Sequence, residues 1–178
     1  MPGFLFAVMM IEFQANETAM KTALPLIFLL ACGNAFAADP PPLSVEGTWQ
    51  CGPYTMTTAK FTATGSNKVT YSRGGEYYDF AIMTITSTDG TKTTLNTQTS
   101  GTWSQSADVL QTKSVNVQVL SSDNPRYPVE AAQRNANEQL GKQPVAKNKI
   151  RIRTNSMTLR PVNPTSKETD IDIACRRL

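Results

Sequence analysis

Short runs of alternating apolar and polar residues, broken by Gly, Asn and Asp, dominate the chain from position 45 to 119. These runs are rich in Thr, Val, Ile and Tyr, which favour β-strands. In the first run, the two-residue period of a strand places four residues on one face: Val45, Gly47, Trp49 and Cys51. Further strands are predicted near Met56–Thr64, Lys68–Arg73, Tyr77–Thr86, Thr93–Trp103 and Val109–Leu120. Turns are predicted at Gly65-Ser66-Asn67, Gly74-Gly75 and Thr88-Asp89-Gly90.

One later segment has a helical period instead. Prolines at 125 and 128 precede it, Gly141 follows it, and apolar residues recur every three or four positions between them: Val129, Ala132, Ala136 and Leu140. We therefore predict one short helix at about 128–140. Its narrow, mostly alanine stripe leaves two roles open, a lid over a barrel mouth or a plain connector, and loop lengths favour the connector.

Strands resume after the helix with a row of cations. Ile150 and Ile152 occupy even positions, and every odd position is basic: Lys147, Lys149, Arg151 and Arg153. This alternation places the four cations on the solvent face and the isoleucines inside. In the next strand Met157 and Leu159 share a face, and in the last strand three residues share the inward face: Ile171, Ile173 and Cys175.

A secretory signal region is predicted at 1–37. Lys21 precedes an apolar stretch at 23–31 that is too short to span a bilayer, and Ala35-Phe36-Ala37 is a small-x-small site with cleavage expected after Ala37. Residues 1–19 contain no Lys or Arg, so Met20 is the predicted start, and a long signal region from Met1 is the alternative. Residues 38–44 form a Pro-rich linker.

A second export signal overlaps the first. Leu29-Leu30-Ala31-Cys32 resembles a bacterial lipobox, in which a lipidated Cys32 anchors the protein at the outer membrane. The ordinary cleavage site five residues later is the better match. We therefore predict a soluble protein of the Gram-negative periplasm, which meets a membrane only if Cys32 is lipidated.

Cleavage leaves two of the three cysteines, Cys51 and Cys175, and an oxidising compartment favours a disulfide between them. Cys51 follows Trp49 inward and Cys175 follows Ile173 inward, so the bond requires the first and last strands to be neighbours. The predicted fold is therefore all-β: a closed or nearly closed antiparallel barrel of about 8–9 strands over 45–178, with the helix inserted before the last strands.

A short motif that occurs twice in the chain is the basis of a family resemblance. Gly47-Thr48-Trp49 recurs as Gly101-Thr102-Trp103, and a G-x-W in the first strand before a run of antiparallel strands resembles the lipocalin and calycin group. Gln50-Cys51, Met157-Thr158-Leu159 and Ile173-Ala174-Cys175-Arg176 extend the resemblance to small secreted bacterial lipocalin-like proteins. The resemblance implies a barrel and suggests a ligand cavity. The insert at 121–146 departs from the pattern, and the Trp-to-Arg packing of lipocalins is not visible in one sequence.

Candidate chemistry is sparse. The chain has no His, which excludes Ser-His and Cys-His catalysis, and it has no phosphate-binding glycine loop. No carboxylate pair stands out by spacing, and turn or solvent-facing roles are expected for the candidates: Glu46, Glu76, Asp79, Asp89 and Asp108. We therefore expect no enzyme, cofactor or metal site. Trp49 and Trp103 are interpreted as core residues near the barrel floor, with ligand stacking as the alternative.

Charge is uneven along the chain. Residues 126–178 carry eleven Lys and Arg against five Asp and Glu, whereas residues 38–125 carry five against seven. A basic half favours an anionic partner and, in an exported protein, not nucleic acid. The alternative is that these cations only protect the strand from aggregation with other chains. Two functions follow: a non-catalytic barrel that binds a small apolar or anionic envelope ligand, or a protein-binding module, such as an immunity or inhibitor protein, with an acidic partner.

Export makes the first testable prediction. Intact-mass and N-terminal analysis of protein from the periplasm should give a mature chain that begins at Ala38, because cleavage follows the small-x-small site. A diacylglyceryl-modified Cys32 at the N-terminus would contradict the prediction of a soluble protein.

Overall fold

The computed structural model describes residues 43–162 and 170–178, in which nine elements follow one another. The predicted signal region, Cys32 and linker residues 38–42 lie outside the described residues. The elements are β1 (Gly47–Thr57), β2 (Phe61–Tyr71), β3 (Glu76–Ser87), β4 (Lys92–Ser106), β5 (Val109–Ser122), α1 (Val129–Leu140), β6 (Ala146–Ile152), β7 (Ser156–Pro161) and β8 (Ile173–Arg177). No helix in this part of the chain is long and apolar enough to cross a membrane.

The eight strands form a closed antiparallel barrel in which each strand pairs with its neighbour in sequence and β1 pairs with β8. This confirms the predicted fold class, with eight strands and one helix before the last strands. The barrel is consistent with a lipocalin-like fold. Closure removes the unpaired edges that an open sheet would present to other chains.

The first strand has the predicted inward face, because Val45, Trp49 and Cys51 are all fully buried. Further along β1, the buried positions change from odd-numbered to even-numbered residues. A register shift between Cys51 and Tyr54 inserts Gly52-Pro53, after which the buried residues are the even-numbered Tyr54 and Met56. A bulge reverses which side chains point inward, and the period of two continues on either side of it.

The predicted turn at Gly65-Ser66-Asn67 is wrong, because β2 runs without a break from Phe61 to Tyr71. Gly65 faces inward and leaves room for the Tyr54 ring; a Cβ there would lie 2.8 Å from the Tyr54 hydroxyl. Asn67 is buried inside the barrel. These residues therefore serve interior packing, although their composition is that of a turn. The other two predicted turns are confirmed, between β2 and β3 and between β3 and β4.

The glycine in each copy of the G-T-W motif has a structural reason, a positive φ at Gly47 and a close backbone contact at Gly101. Gly47 has a φ of +113°, and a Cβ there would lie 2.9 Å from Nη1 of Arg177. A Cβ at Gly101 would clash with the backbone carbonyl of Lys113, next to the register shift where β4 pairs with β5. Only glycine fits these two positions without backbone movement.

Helix α1 covers a strand edge. β5 pairs with β6 only over Val109–Thr112, so the second half of β5 lacks a strand on that side. There the side chain of Gln133 accepts a hydrogen bond from the Val119 N–H (2.7 Å) and donates one to the Val117 carbonyl (2.9 Å). One amide thus satisfies backbone groups that a neighbouring strand would otherwise satisfy.

The predicted apolar stripe of α1 is confirmed. Ala132 and Ala136 are buried in the core, and Val129 and Leu140 pack partly buried beside them. The helix contacts β5 extensively and closes the barrel wall where β6 is too short to reach. The interpretation of this segment as a plain connector is therefore incomplete.

The predicted disulfide is confirmed. Cys51 and Cys175 are directly opposite each other in the β1–β8 ladder, and a bond joins them across 124 residues of sequence. β1 and β8 pair through only three residue pairs, and the disulfide lies within that short ladder. It therefore reinforces the closure of the barrel.

The disulfide makes a stability prediction. Reduction of the wild type, or the double substitution Cys51→Ser and Cys175→Ser, should lower the free energy of unfolding by about 2–5 kcal/mol, because the unfolded chain gains freedom. Thermal unfolding should show a melting temperature lower by at least ~5 °C. Dithiothreitol should leave the double variant unchanged. A wild-type melting curve that does not respond to dithiothreitol, in protein without free thiols beforehand, would contradict this role.

Candidate functional site

One end of the barrel is closed around Trp49. Trp49 is fully buried and its Nε1 donates a hydrogen bond to the Val45 carbonyl at 2.7 Å. The guanidinium of Arg177 stacks on the ring, 4.2 Å from its centroid, and donates to the carbonyls of Glu46 (2.7 Å) and Ser44 (3.2 Å). The predicted core role of Trp49 agrees with this burial, and the partner arginine comes from the other end of the chain.

Trp103 lies at the same end but is only partly buried. Its Nε1 donates to the Ser72 carbonyl at 2.9 Å, and its ring meets Tyr71 edge-on with centroids 5.6 Å apart. A shallow groove of about 370 Å³ exposes part of the ring beside Arg73 and Gln105. These contacts anchor Trp103 to the β2–β3 turn and agree with the packing role predicted for it.

A polar cluster lies inside the barrel. Asp79, which is 4% exposed, accepts a 2.6 Å hydrogen bond from Nδ2 of Asn67, which is 2% exposed. Burial raises the pKa of Asp79 to about 6, and the hydrogen bond from Asn67 partly offsets this increase. Burial and the nearby Asp79 charge also raise the pKa of Tyr54 and Tyr71. The mostly apolar interior therefore contains a polar cluster.

The surroundings of Asp79 favour its protonated form more than water does. Oδ1 of Asn67 is buried and has no hydrogen-bond partner in the part of the chain that the structure describes. A protonated carboxyl carries an O–H donor in addition to the oxygen that accepts from Nδ2, whereas the ionised form has only acceptors. Leaving a buried acceptor unpaired costs about 1–3 kcal/mol, which adds to the cost of ionising a buried carboxyl.

The expectation of a turn or solvent-facing role is wrong for Asp79. In Tyr77-Tyr78-Asp79-Phe80 the structure buries the first tyrosine and the aspartate and exposes the other two residues. The other carboxylates considered lie at the surface or half-buried: Glu46, Glu76, Asp89 and Asp108. Within the described residues, no cluster of three or more His, Cys, Asp or Glu side chains has the geometry to hold a metal ion.

The predicted basic row lies on the outside of β6. Lys147, Lys149 and Arg151 are exposed on one face of the strand, and buried Asn148 and Ile150 alternate with them. Arg153 is also exposed but lies just past the strand, where its N–H donates to the Ser156 carbonyl at 2.8 Å. Three cations therefore share the strand face, and the fourth extends the row into the β6–β7 turn.

Part of this charge is neutralised. Lys149 lies 3.5 Å from Asp108, and Arg160 of β7 binds Asp170 through two hydrogen bonds of 2.8 and 2.7 Å. These bonds hold the pKa of Asp170 below its usual range. Four other exposed cations on or beside this surface have no carboxylate within 4 Å among residues 43–162 and 170–178: Lys147, Arg151, Arg153 and Arg176. We call these four residues, together with Lys149, the basic face.

The sequence interpretation missed an apolar groove on the outside of β2–β5. Phe80, Ile82 and Leu120 are each about half exposed and line a groove of about 380 Å³. Lys68 and Asn96 border it. We call these five residues the outer groove. The signal in the sequence is Tyr78-Asp79-Phe80-Ala81-Ile82, where large apolar residues take the face opposite an aspartate.

Comparison with known proteins gives no family assignment: no protein-family model matches the chain, and no curated protein is significantly similar to it. Site residues are therefore assigned from geometry alone. The disulfide indicates an oxidising compartment outside the cytoplasm.

Asp79 makes a pH prediction. Its pKa is higher in the folded chain (about 6) than the usual 3.8, so the folded state binds the proton more tightly. The free energy of unfolding should therefore fall as pH rises from about 4 to 6, by up to ~3 kcal/mol. Asp79→Asn should remove this decrease and raise stability at pH 7, because the amide is neutral and still pairs with Asn67.

Denaturant unfolding between pH 4 and 8 measures this effect. Glu76→Gln makes the same charge change at an exposed position of the same strand and should follow the wild-type profile. An Asp79→Asn protein that is less stable than the wild type at pH 7 would show that the ionised carboxylate is needed inside the barrel.

Proposed function

We propose that this chain is a non-catalytic, lipocalin-like protein of the periplasm that binds an acidic protein through its basic face, as an inhibitor or immunity protein does. The observation that carries the proposal is the contrast between the inside and the outside of the barrel. The buried apolar side chains form one cluster, and the cations of the basic face are exposed, with only Lys149 in an ion pair among the described residues.

The lipocalin-like part of the proposal has two supports. The barrel closes between β1 and β8, and Arg177 stacks on Trp49 of the G-x-W motif, which is the packing that the family resemblance leads one to expect. The disulfide supports an oxidising compartment, and the choice of the periplasm rests on the signal region predicted from the sequence.

The interior gives less support to a small apolar ligand. Its middle contains Asp79, Asn67 and the threonines Thr97 and Thr99, all buried. An apolar ligand there would pack against polar side chains and offer them no hydrogen bond. The structure therefore favours recognition by the outer surface.

The experiment compares two variants with the same loss of four positive charges. The test variant replaces Lys147, Lys149, Arg151 and Arg153 with Gln. The control variant replaces four exposed cations elsewhere: Lys92, Arg126, Arg134 and Lys142. Both should fold like the wild type, because all eight side chains are exposed.

Each protein is immobilised and incubated with envelope extract at ~50 and ~200 mM salt, and bound proteins are identified by mass spectrometry. The wild type and the control should retain the same acidic protein, more strongly at low salt, and the test variant should retain at least about tenfold less. Equal retention by the test variant would exclude the basic face as the binding surface.

A further inference from the structure

The outer groove has the composition of an anchor site in a protein interface. Ile82, Phe80 and Leu120 are 55%, 48% and 45% exposed, although most large apolar side chains of the chain lie in the core. Polar groups of Ser66, Lys68 and Asn96 border them. An apolar centre with a polar rim is the arrangement in which a few buried side chains supply most of the binding energy.

The outer groove is linked to the basic face by strand pairing. In the registers of adjacent strands, Arg176 is opposite Gln50, Gln50 is opposite Lys68, and Lys68 is opposite Phe80. Neighbouring strands lie about 4.8 Å apart, so this row covers roughly 14 Å around the barrel. One extended segment of a partner can contact its cationic end and its apolar end together.

We propose that the outer groove binds an apolar side chain, aromatic or aliphatic, from a segment of the protein partner that carries carboxylates beside that side chain. The proposal rests on the proposed function and names the anchor of the same interaction. The carboxylates meet Lys68 and Arg176, and the apolar side chain packs on Phe80, Ile82 and Leu120.

The positive charge beside the outer groove favours an acidic partner segment over a second copy of the chain. A symmetric contact through the groove would bring the Lys68 side chains of two copies into one interface, because a two-fold interface presents the same patch from both subunits. Lys68 has no ion pair among the described residues that would offset this repulsion. An acidic segment reverses the sign of the interaction at the same positions.

The test uses synthetic peptides as defined probes. One peptide has a central Phe-Leu pair flanked by glutamates, a second replaces that pair with Ala-Ala, and a third replaces the glutamates with lysines. Each is titrated into the ¹⁵N-labelled protein and followed by amide chemical shifts. The first peptide should shift the amides of Lys68, Phe80, Ile82 and Leu120, and the other two should bind at least about tenfold more weakly.

Two variants separate the groove from the basic face. Phe80→Thr with Ile82→Thr keeps strand-forming residues at exposed positions and should abolish the shifts caused by the Phe-Leu peptide. The matched control Thr84→Ser with Thr86→Ser, further along β3, should bind like the wild type. Peptide binding that survives the Phe80 and Ile82 changes would overturn the groove proposal.

The outcomes also distinguish this proposal from the proposed function. In one outcome, the basic-face variant loses the acidic partner while the Phe-Leu peptide causes no amide shifts at the outer groove. That combination would support the proposed function and reject the outer groove as the site that binds the apolar side chain. Groove shifts that depend on protein concentration without peptide would assign the site to a second copy. Shifts with anionic phospholipid vesicles but with none of the peptides would assign it to a lipid surface.

Discussion

The contact between β1 and β8 is the constraint on which the rest of the molecule depends. Only three residue pairs join these strands, yet this ladder converts an open eight-stranded sheet into a barrel. The disulfide crosses the ladder, and beside it Arg177 stacks on Trp49 while it binds the carbonyls of Glu46 and Ser44. These groups come from the two ends of the domain, so closure joins residues that lie at least 124 positions apart in sequence. The inward face of every strand then becomes core.

The sequence was most informative where one residue type has one structural use. Two cysteines in a predicted oxidising compartment, each following an inward apolar residue, were enough to predict the disulfide and the β1–β8 pairing. Alternating cations and isoleucines were enough to place Lys147, Lys149 and Arg151 outside. The helix boundaries followed from two prolines and a glycine, and the structure places α1 at Val129–Leu140.

Prediction failed where a residue type has several uses. Gly65-Ser66-Asn67 has the composition of a turn, but the glycine makes room for Tyr54 and the asparagine pairs with Asp79. Strand β3 has large apolar residues on both faces, so its period of two could not show which face is buried. The outer groove and the buried aspartate were both hidden by that ambiguity. The contact of Arg177 with Trp49 joins positions 128 residues apart, and no local pattern reports it.

The inside and the outside of this barrel are both mixed in character, because the mostly apolar interior contains a few polar groups and the outer wall exposes a few large apolar side chains. Polar groups are buried with Asp79 at their centre, and apolar side chains are exposed with cations beside them. In the proposed function, this distribution is the reason for placing recognition on the outer wall. In that proposal the barrel is the scaffold that carries both the basic face and the outer groove.

Native mass spectrometry of the protein purified from its native cells, without unfolding, tests this central claim most directly. A barrel with a packed interior should have the mass of the mature polypeptide less the two hydrogens lost on disulfide formation. A small molecule bound in stoichiometric amount and released only when the protein unfolds would contradict the account, because it would show that the interior is the binding site.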